Sequence, residues 1–271
     1  MTSIFCGKVA LVTGASGGLG RALCLELMRC GAHVVATDID GKALAALGAT
    51  LQDFDPACLT VVGDITQADF AGRLCTDIEE NFGRLDFLIH NAGVTHFSLF
   101  PELGTDRLAR VLEINFLAAV RLTEAALPLL EKTKGHIAAL SSVAGFAPLY
   151  GRTAYAASKH ALQGFFESLR GEVAPLGISI TLACPSFIAT QSKSSEAVSQ
   201  AGLARPGSAT ETAGQALSPE YVATQICRAM EKKRRCVFIG RLSKLSFLVS
   251  RVSPALYEWL MLKSVKQEIA R

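Results

Sequence analysis

Tyr155 and Lys159 stand four residues apart in a stretch with helical patterning, so a helix there carries both side chains on one face. A phenol normally titrates near ~10. A neighbouring ammonium favours its ionised form and brings it into a range suited to proton exchange with an alcohol. Ser142 comes just beyond the predicted strand His136–Leu140. In an open parallel sheet the carboxyl ends of the strands border the ligand crevice, so a serine hydroxyl there can meet a substrate oxygen. Together the three residues predict acid/base chemistry on a hydroxyl or carbonyl. The plainer reading of a Tyr-x-x-x-Lys pair is decoration of a helix surface.

A second constellation suits phosphate. Lys8-Val9-Ala10-Leu11-Val12 runs into Thr13-Gly14-Ala15-Ser16-Gly17-Gly18-Leu19-Gly20 and then a helical pattern. Glycines let the backbone turn tightly and approach a pyrophosphate, which rests on the free N–H groups at the helix start. The strand before and the helix after supply the context such a turn requires. Asp38 ends the second strand pattern, where an acid can accept hydrogen bonds from an adenosine ribose; the plainer reading is a polar strand cap. Asp64, followed by Ile65-Thr66, either touches the adenine or forms a turn.

These residues need a scaffold, and the chain spells one out. Apolar or β-branched runs at Val9–Val12, His33–Thr37, Leu59–Val62, Phe87–His90, His136–Leu140 and Ser179–Ala183 alternate with amphipathic segments. The latter include Leu19–Cys30, Phe70–Phe82, Asp106–Glu131 and Ala154–Ala174. That rhythm predicts an α/β fold: a single doubly wound parallel sheet, Rossmann-type, with helices on both faces. A Ser/Ala/Gly/Thr-rich stretch, Gln191–Ala216, reads as a loop over the site. Ser218-Pro219-Glu220 then opens a helix to about Glu231, and Cys236–Ile239 adds a strand. Residues 1–240 form the dinucleotide-binding and catalytic domain in this reading, and residues 241–271 an apolar and basic helical extension of it.

Length and composition agree with one large α/β domain: 271 residues, 50% hydrophobic and 19% charged. Eight scattered cysteines, without a Cys-x-x-Cys pair or a completing His, predict free thiols and no metal site. With no signal-peptide pattern at Met1–Gly7, they point to the cytoplasm. The net charge of +3 conceals an asymmetry, since Arg228–Arg271 holds 11 Lys and Arg against 3 Asp and Glu. The plain reading is a solvated helix face; a membrane surface or acidic partner is the alternative. Nucleic acid is not expected, because the basic stretch lacks any zinc-finger or basic-zipper framework.

Taken together, the motifs resemble those of the short-chain dehydrogenase/reductase family, in its roughly 250-residue branch, over nearly the whole chain. Thr13-Gly14-x-x-x-Gly18-x-Gly20 resembles the family's cofactor turn, and His90-Asn91-Ala92-Gly93 its sheet-supporting Asn-Asn-Ala-Gly segment. Asn115, Ser142, Tyr155 and Lys159 match its catalytic tetrad. The resemblance implies that Tyr155 exchanges a proton with the substrate oxygen while hydride passes to or from a nicotinamide. It implies that Ser142 holds that oxygen, that Lys159 binds the nicotinamide ribose and lowers the Tyr155 pKa, and that Asn115 positions a relay water. Pro185, Ile188 and Thr190 match the segment at the nicotinamide, with Thr190 at the carboxamide. A homodimer or homotetramer through Asp106–Glu131 and Ala154–Ala174 is also implied. Two departures stand out: His90 replaces the first Asn, and Ser186 replaces the Gly after Pro185, which brings a side chain near the nicotinamide.

NAD is expected over NADP, because Asp38 would face the 2′-phosphate and no compensating base adjoins it. A bulky lipophilic alcohol or ketone is the expected substrate. Phe97, Leu99, Phe146, Leu149 and Phe187 lie on loops that reach the site, with only Arg152 charged among the nearest residues. The alternatives are an NADPH-dependent reductase of small ketones or acyl substrates, and a non-catalytic dinucleotide sensor. Leu245–Val252 and Ala255–Leu262 are broken by Arg251, Pro254 and Glu258, so neither crosses a bilayer. The tail is expected to pack over the pocket mouth or on another subunit, with peripheral contact to a lipid surface as the alternative.

Overall fold

Seven strands lie side by side in one parallel sheet in the order β3-β2-β1-β4-β5-β6-β7. They are β1 Val9–Thr13, β2 His33–Asp38, β3 Cys58–Val62, β4 Phe87–His90, β5 His136–Leu140, β6 Ser179–Pro185 and β7 Cys236–Ile239. The computed structural model describes residues 3–189 and 216–269, with side chains as far as Ser264. The predicted loop Gln191–Ala216 therefore lies almost wholly outside the described residues, as does Thr190. β1, β4 and β5 are buried throughout, as expected of strands covered on both faces.

Helices α1 Gly18–Arg29, α2 Gly41–Leu51, α3 Phe70–Phe82, α4 Phe100–Leu103, α5 Thr105–Leu112, α6 Ala118–Thr133 and α7 Thr153–Val173 join the first six strands. Then follow α8 Pro219–Glu231, α9 Arg241–Val252 and α10 Pro254–Ile269. One core unites α1, α2 and α8 through residues such as Leu23, Leu44 and Ile226; the other unites α3, α6 and α7 through Leu74, Leu130 and Phe166. Strand order reverses between β1 and β4, so a crevice opens outside their carboxyl ends, beside Thr13 and His90.

Two local features differ from the sequence reading. The amphipathic stretch Asp106–Glu131 is helical throughout but not uniformly α: a π-turn at Glu113–Leu117 lies between α5 and α6. Within it the side-chain amide of Asn115 is tied across to the backbone of Val94 at both its oxygen and its nitrogen, and such widened turns recur at functional sites. The second feature is α2, which the sequence reading left out. Asp40 caps it by accepting from the Ala43 amide at 3.0 Å, and Leu44, Leu47 and Leu51 bury one stripe.

Candidate active site

The glycine turn is built for close approach of backbone to backbone. Gly14 has φ +62°, and a Cβ there would stand 2.8 Å from the Ala92 Cα; a Cβ on Gly20 would stand 2.0 Å from the Gly14 carbonyl oxygen. Asn91 fastens the turn to β4, its Nδ2 donating to the carbonyls of Thr13 (3.0 Å) and Gly14 (2.9 Å). The Thr13 hydroxyl in turn accepts from the amides of Asn91 and Ala92 at 3.1 and 3.0 Å. Helix α1 opens after Gly17 with no side-chain cap and no acid in its first turn. Its first N–H groups, around Gly18, Leu19 and Gly20, keep their attraction for an anion.

Asp38 sits at the carboxyl end of β2 and spans to this turn. One carboxylate oxygen accepts from the Ser16 amide at 2.9 Å, the other from the Asp40 amide at 3.1 Å. Asp64 forms the turn that its sequence allowed, accepting from the Thr66 amide (2.9 Å) and hydroxyl (2.7 Å), with Ile65 half-buried beside it. Those bonds and the Arg110 guanidinium outweigh its partial burial and hold the Asp64 carboxyl below the usual range. Ile188 bridges to Leu217 just beyond Pro185, and the Ser186 amide donates to the Ile239 carbonyl at 2.9 Å. The Ser186 hydroxyl lies against Gly240, where an added Cβ would stand 2.4 Å from its Oγ.

Ser142, in extended backbone after β5, is hydrogen-bonded to Tyr155 from the first turn of α7. One turn further along α7, Lys159 is buried and donates from Nζ to the Leu140 carbonyl at 2.6 Å. Asn115 completes the group. Its Oδ1 accepts from the Val94 amide at 2.7 Å, and its Nδ2 donates to the Val94 carbonyl and the Ser158 hydroxyl, both at 2.9 Å. Gly93 lies against this pair, where a Cβ would stand 3.2 Å from Asn115 Oδ1. A small recess opens behind, lined in part by Thr13, His90, Ala92, Asn115 and Lys159.

Burial raises the Tyr155 pKa above its ordinary 10, and the groups that oppose the rise are Ser142 and Arg152 rather than Lys159. The Lys159 ammonium is turned toward the Leu140 carbonyl, with Nζ 5.8 Å from the centre of the phenol ring, and desolvation pushes its own pKa down to about 8. The His90 imidazole, where the family has asparagine, is buried against Phe166 and hydrogen-bonded to Thr123 at 2.8 Å. Desolvation drops its pKa to about 3, so it stays neutral. Among the described residues no cluster of three or more His, Cys, Asp or Glu could hold a metal ion.

A parallel sheet with this strand order, a glycine turn at its switch point and a Ser-Tyr-Lys-Asn group at its carboxyl edge defines a nucleotide-binding oxidoreductase class. The sequence model for short chain dehydrogenases matches residues 8–200, and the chain belongs to the short-chain dehydrogenase/reductase family. Its relatives include dehydrogenase/reductase SDR family member 7B of Bos taurus, 34% identical and aligned over 96% of this chain and 82% of that one. Another, 11-beta-hydroxysteroid dehydrogenase-like 2 of Arabidopsis thaliana, is 35% identical over 68% of this chain and 60% of its own. Among solved structures, a family member from Burkholderia phymatum in complex with NAD superposes with a TM-score of 0.82 at 25% identity, covering 93% of this chain and 95% of that one.

Proposed function

We propose that the protein interconverts a secondary alcohol and a ketone, preferably with NAD, and that the substrate is bulky and lipophilic. The observation that carries this reading is the hydrogen bond between Ser142 and Tyr155, with Lys159 buried one turn behind. A dinucleotide suits the residues present: the uncapped start of α1 draws phosphate, and the bare backbone at Gly14 and Gly20 leaves no side chain in the way. When bound, it accepts or supplies the hydride.

The chain's own residues do the rest. Burial raises its pKa, so Tyr155 is protonated at neutral pH and donates to a ketone oxygen; in the oxidising direction it first gives that proton up along the path past Lys159, and its phenolate then takes the proton from the alcohol. Ser142 holds the same oxygen and stabilises the charge that develops on it. Lys159 binds the nicotinamide ribose, Asn115 supports the path by which protons reach Lys159, and Asp38 takes the adenosine ribose. Assembly as a homodimer or homotetramer through α6 and α7, in the cytoplasm, belongs to the same reading.

A lipophilic substrate is supported by the walls beside Ser142. Val143 and Ala147 are buried with Tyr257 of α10, and Phe146, Leu149, Val249 and Met261 pack around them. The steroid-dehydrogenase name of the Arabidopsis relative points the same way. The test is a turnover screen of secondary alcohols and ketones of graded size with both cofactors. Turnover rising with apolar size, and higher with NAD, supports the reading; turnover confined to small polar or anionic substrates contradicts it.

A further inference from the structure

Helix α9 packs inward through Phe247 and Val249 and buries Ser243 and Ser246 between them. Its other face is also apolar, with Leu245, Leu248 and Val252 standing 59%, 60% and 76% exposed. The inward serines have partners. Ser243 Oγ donates to the Cys184 carbonyl at 2.6 Å, and Ser246 is hydrogen-bonded to Tyr257. Helix α10, after the break at Pro254, touches the body chiefly through Tyr257 and Met261 and leaves Leu256, Trp259 and Leu260 outward. Of the thirteen large apolar side chains exposed among the described residues, seven fall between Leu245 and Leu262. Apolar surface concentrated this way marks an interaction face rather than scattered exposure.

The charge on the same face says what covers it. Arg241, Lys244, Arg251 and Lys263 are exposed among these apolar residues, and Glu258 is the one acid exposed on the described parts of α9 and α10. Among the described residues none of the four cations enters an ion pair; Arg251 lies 5.5 Å from the Phe247 ring centre and Lys263 5.0 Å from that of Trp259. A second copy docked about a two-fold axis would set this cationic patch against itself. An anionic bilayer surface does the reverse: headgroups pair with the cations, while leucine and tryptophan side chains enter the acyl boundary. Among the described residues no helix is long and apolar enough to cross a membrane, so contact is confined to the surface.

We infer that the outer face of α9 and α10 docks the protein onto anionic lipid surfaces. The inference stands on this face alone and does not require the substrate reading above.

Trp259, the one tryptophan of the chain, reports on this face directly. The full-length protein is mixed with vesicles of phosphatidylcholine alone or with added phosphatidylserine. Its fluorescence and co-sedimentation are then followed at low and high salt. The expected result is a blue shift and binding on the phosphatidylserine vesicles that weaken with salt. Lys244→Gln with Arg251→Gln should weaken partitioning by about 25-fold, since each basic residue near such a surface contributes about fivefold. Leu245→Glu with Leu248→Glu should abolish binding while turnover of a water-soluble alcohol is unchanged. No blue shift on either vesicle, or binding that survives the Leu245→Glu/Leu248→Glu pair, overturns the inference. So does a Leu245→Glu/Leu248→Glu variant that dissociates an oligomer in sedimentation velocity without altering lipid binding, because the face then joins two copies.

Discussion

The Nζ of Lys159 donates a 2.6 Å hydrogen bond to the carbonyl of Leu140, nineteen residues earlier at the end of β5. This bond fastens α7 to the strand that presents Ser142, so the distance between Ser142 and Tyr155 is set by a strand, a helix and one buried cation. Desolvation of that cation costs stability, which makes the site a place where function is held against the fold's own preference.

That cost has a pH signature. The Lys159 pKa falls to about 8 in the folded protein against an unfolded value near ~10.4, so between these values the unfolded chain binds the extra proton and stability rises with pH. Below pH ~8 both states are protonated and the penalty is present in full. Wild type and Lys159→Met, compared by urea unfolding, should differ by a constant amount below that pH. Wild type should then gain up to roughly 3 kcal/mol on the variant as pH rises toward ~10.4. A difference independent of pH across that window means that the buried amine is not desolvated.

Asn115 should matter for stability before it matters for rate. Asn115→Ala strips both partners from the half-buried backbone of Val94 and one from buried Ser158, at up to about 1–3 kcal/mol for each polar group left unsatisfied away from water. Thermal unfolding of the variant should show a clear loss of Tm. A variant as stable as wild type means that the Val94 backbone finds other partners and that the π-turn does not depend on this side chain.

Asp38 should decide between the cofactors. A carboxylate about 4 Å from a 2′-phosphate costs roughly 4 kcal/mol at an effective dielectric of 20, enough to favour NAD strongly. Asp38→Ser should narrow the ratio of kcat/KM values for NAD and NADP. It should also loosen the glycine turn, because the Ser16 amide loses its 2.9 Å acceptor. A wild-type preference for NADP refutes the assignment.

The tail should bear on substrate size. Removing residues 254–271 takes Tyr257 and Met261 from the wall formed with Val143 and Ala147, but leaves the bond from Ser243 to Cys184 intact. Turnover of large lipophilic alcohols should fall more than that of small ones, with NAD affinity unchanged. Equal loss for both sizes in a folded truncation removes α10 from substrate recognition.

The sheet was legible because each buried parallel strand is a short apolar run closed by polar or glycine residues. Strand ends differ from the reading by one residue at Thr13, Asp38 and Cys58 and by two at Cys184-Pro185. Helix α2 was missed although Asp40 caps it, because Gly41–Leu51 is dominated by alanine and glycine and its leucine stripe is narrow. The π-turn at Glu113–Leu117 leaves no trace in periodicity, and the partner of Asn115 within it, Val94, lies on a loop twenty-one residues away. Tertiary contacts likewise hold two side chains of the site. Ser186 is drawn against Gly240, and Lys159 is drawn to the Leu140 carbonyl, neither of which spacing along the chain foretells.

If the Tyr155 hydroxyl exchanges the proton with the substrate oxygen, Tyr155→Phe removes that exchange and little else. The ring remains, the bond to Ser142 is lost, and only the proton is removed from the reaction. Turnover of the best alcohol found should fall by about 10²- to 10⁴-fold, while titration with NAD gives an unchanged Kd. A Tyr155→Phe protein that binds NAD normally and retains more than about a tenth of wild-type turnover would contradict the assignment, since loss of a general acid/base costs far more than that.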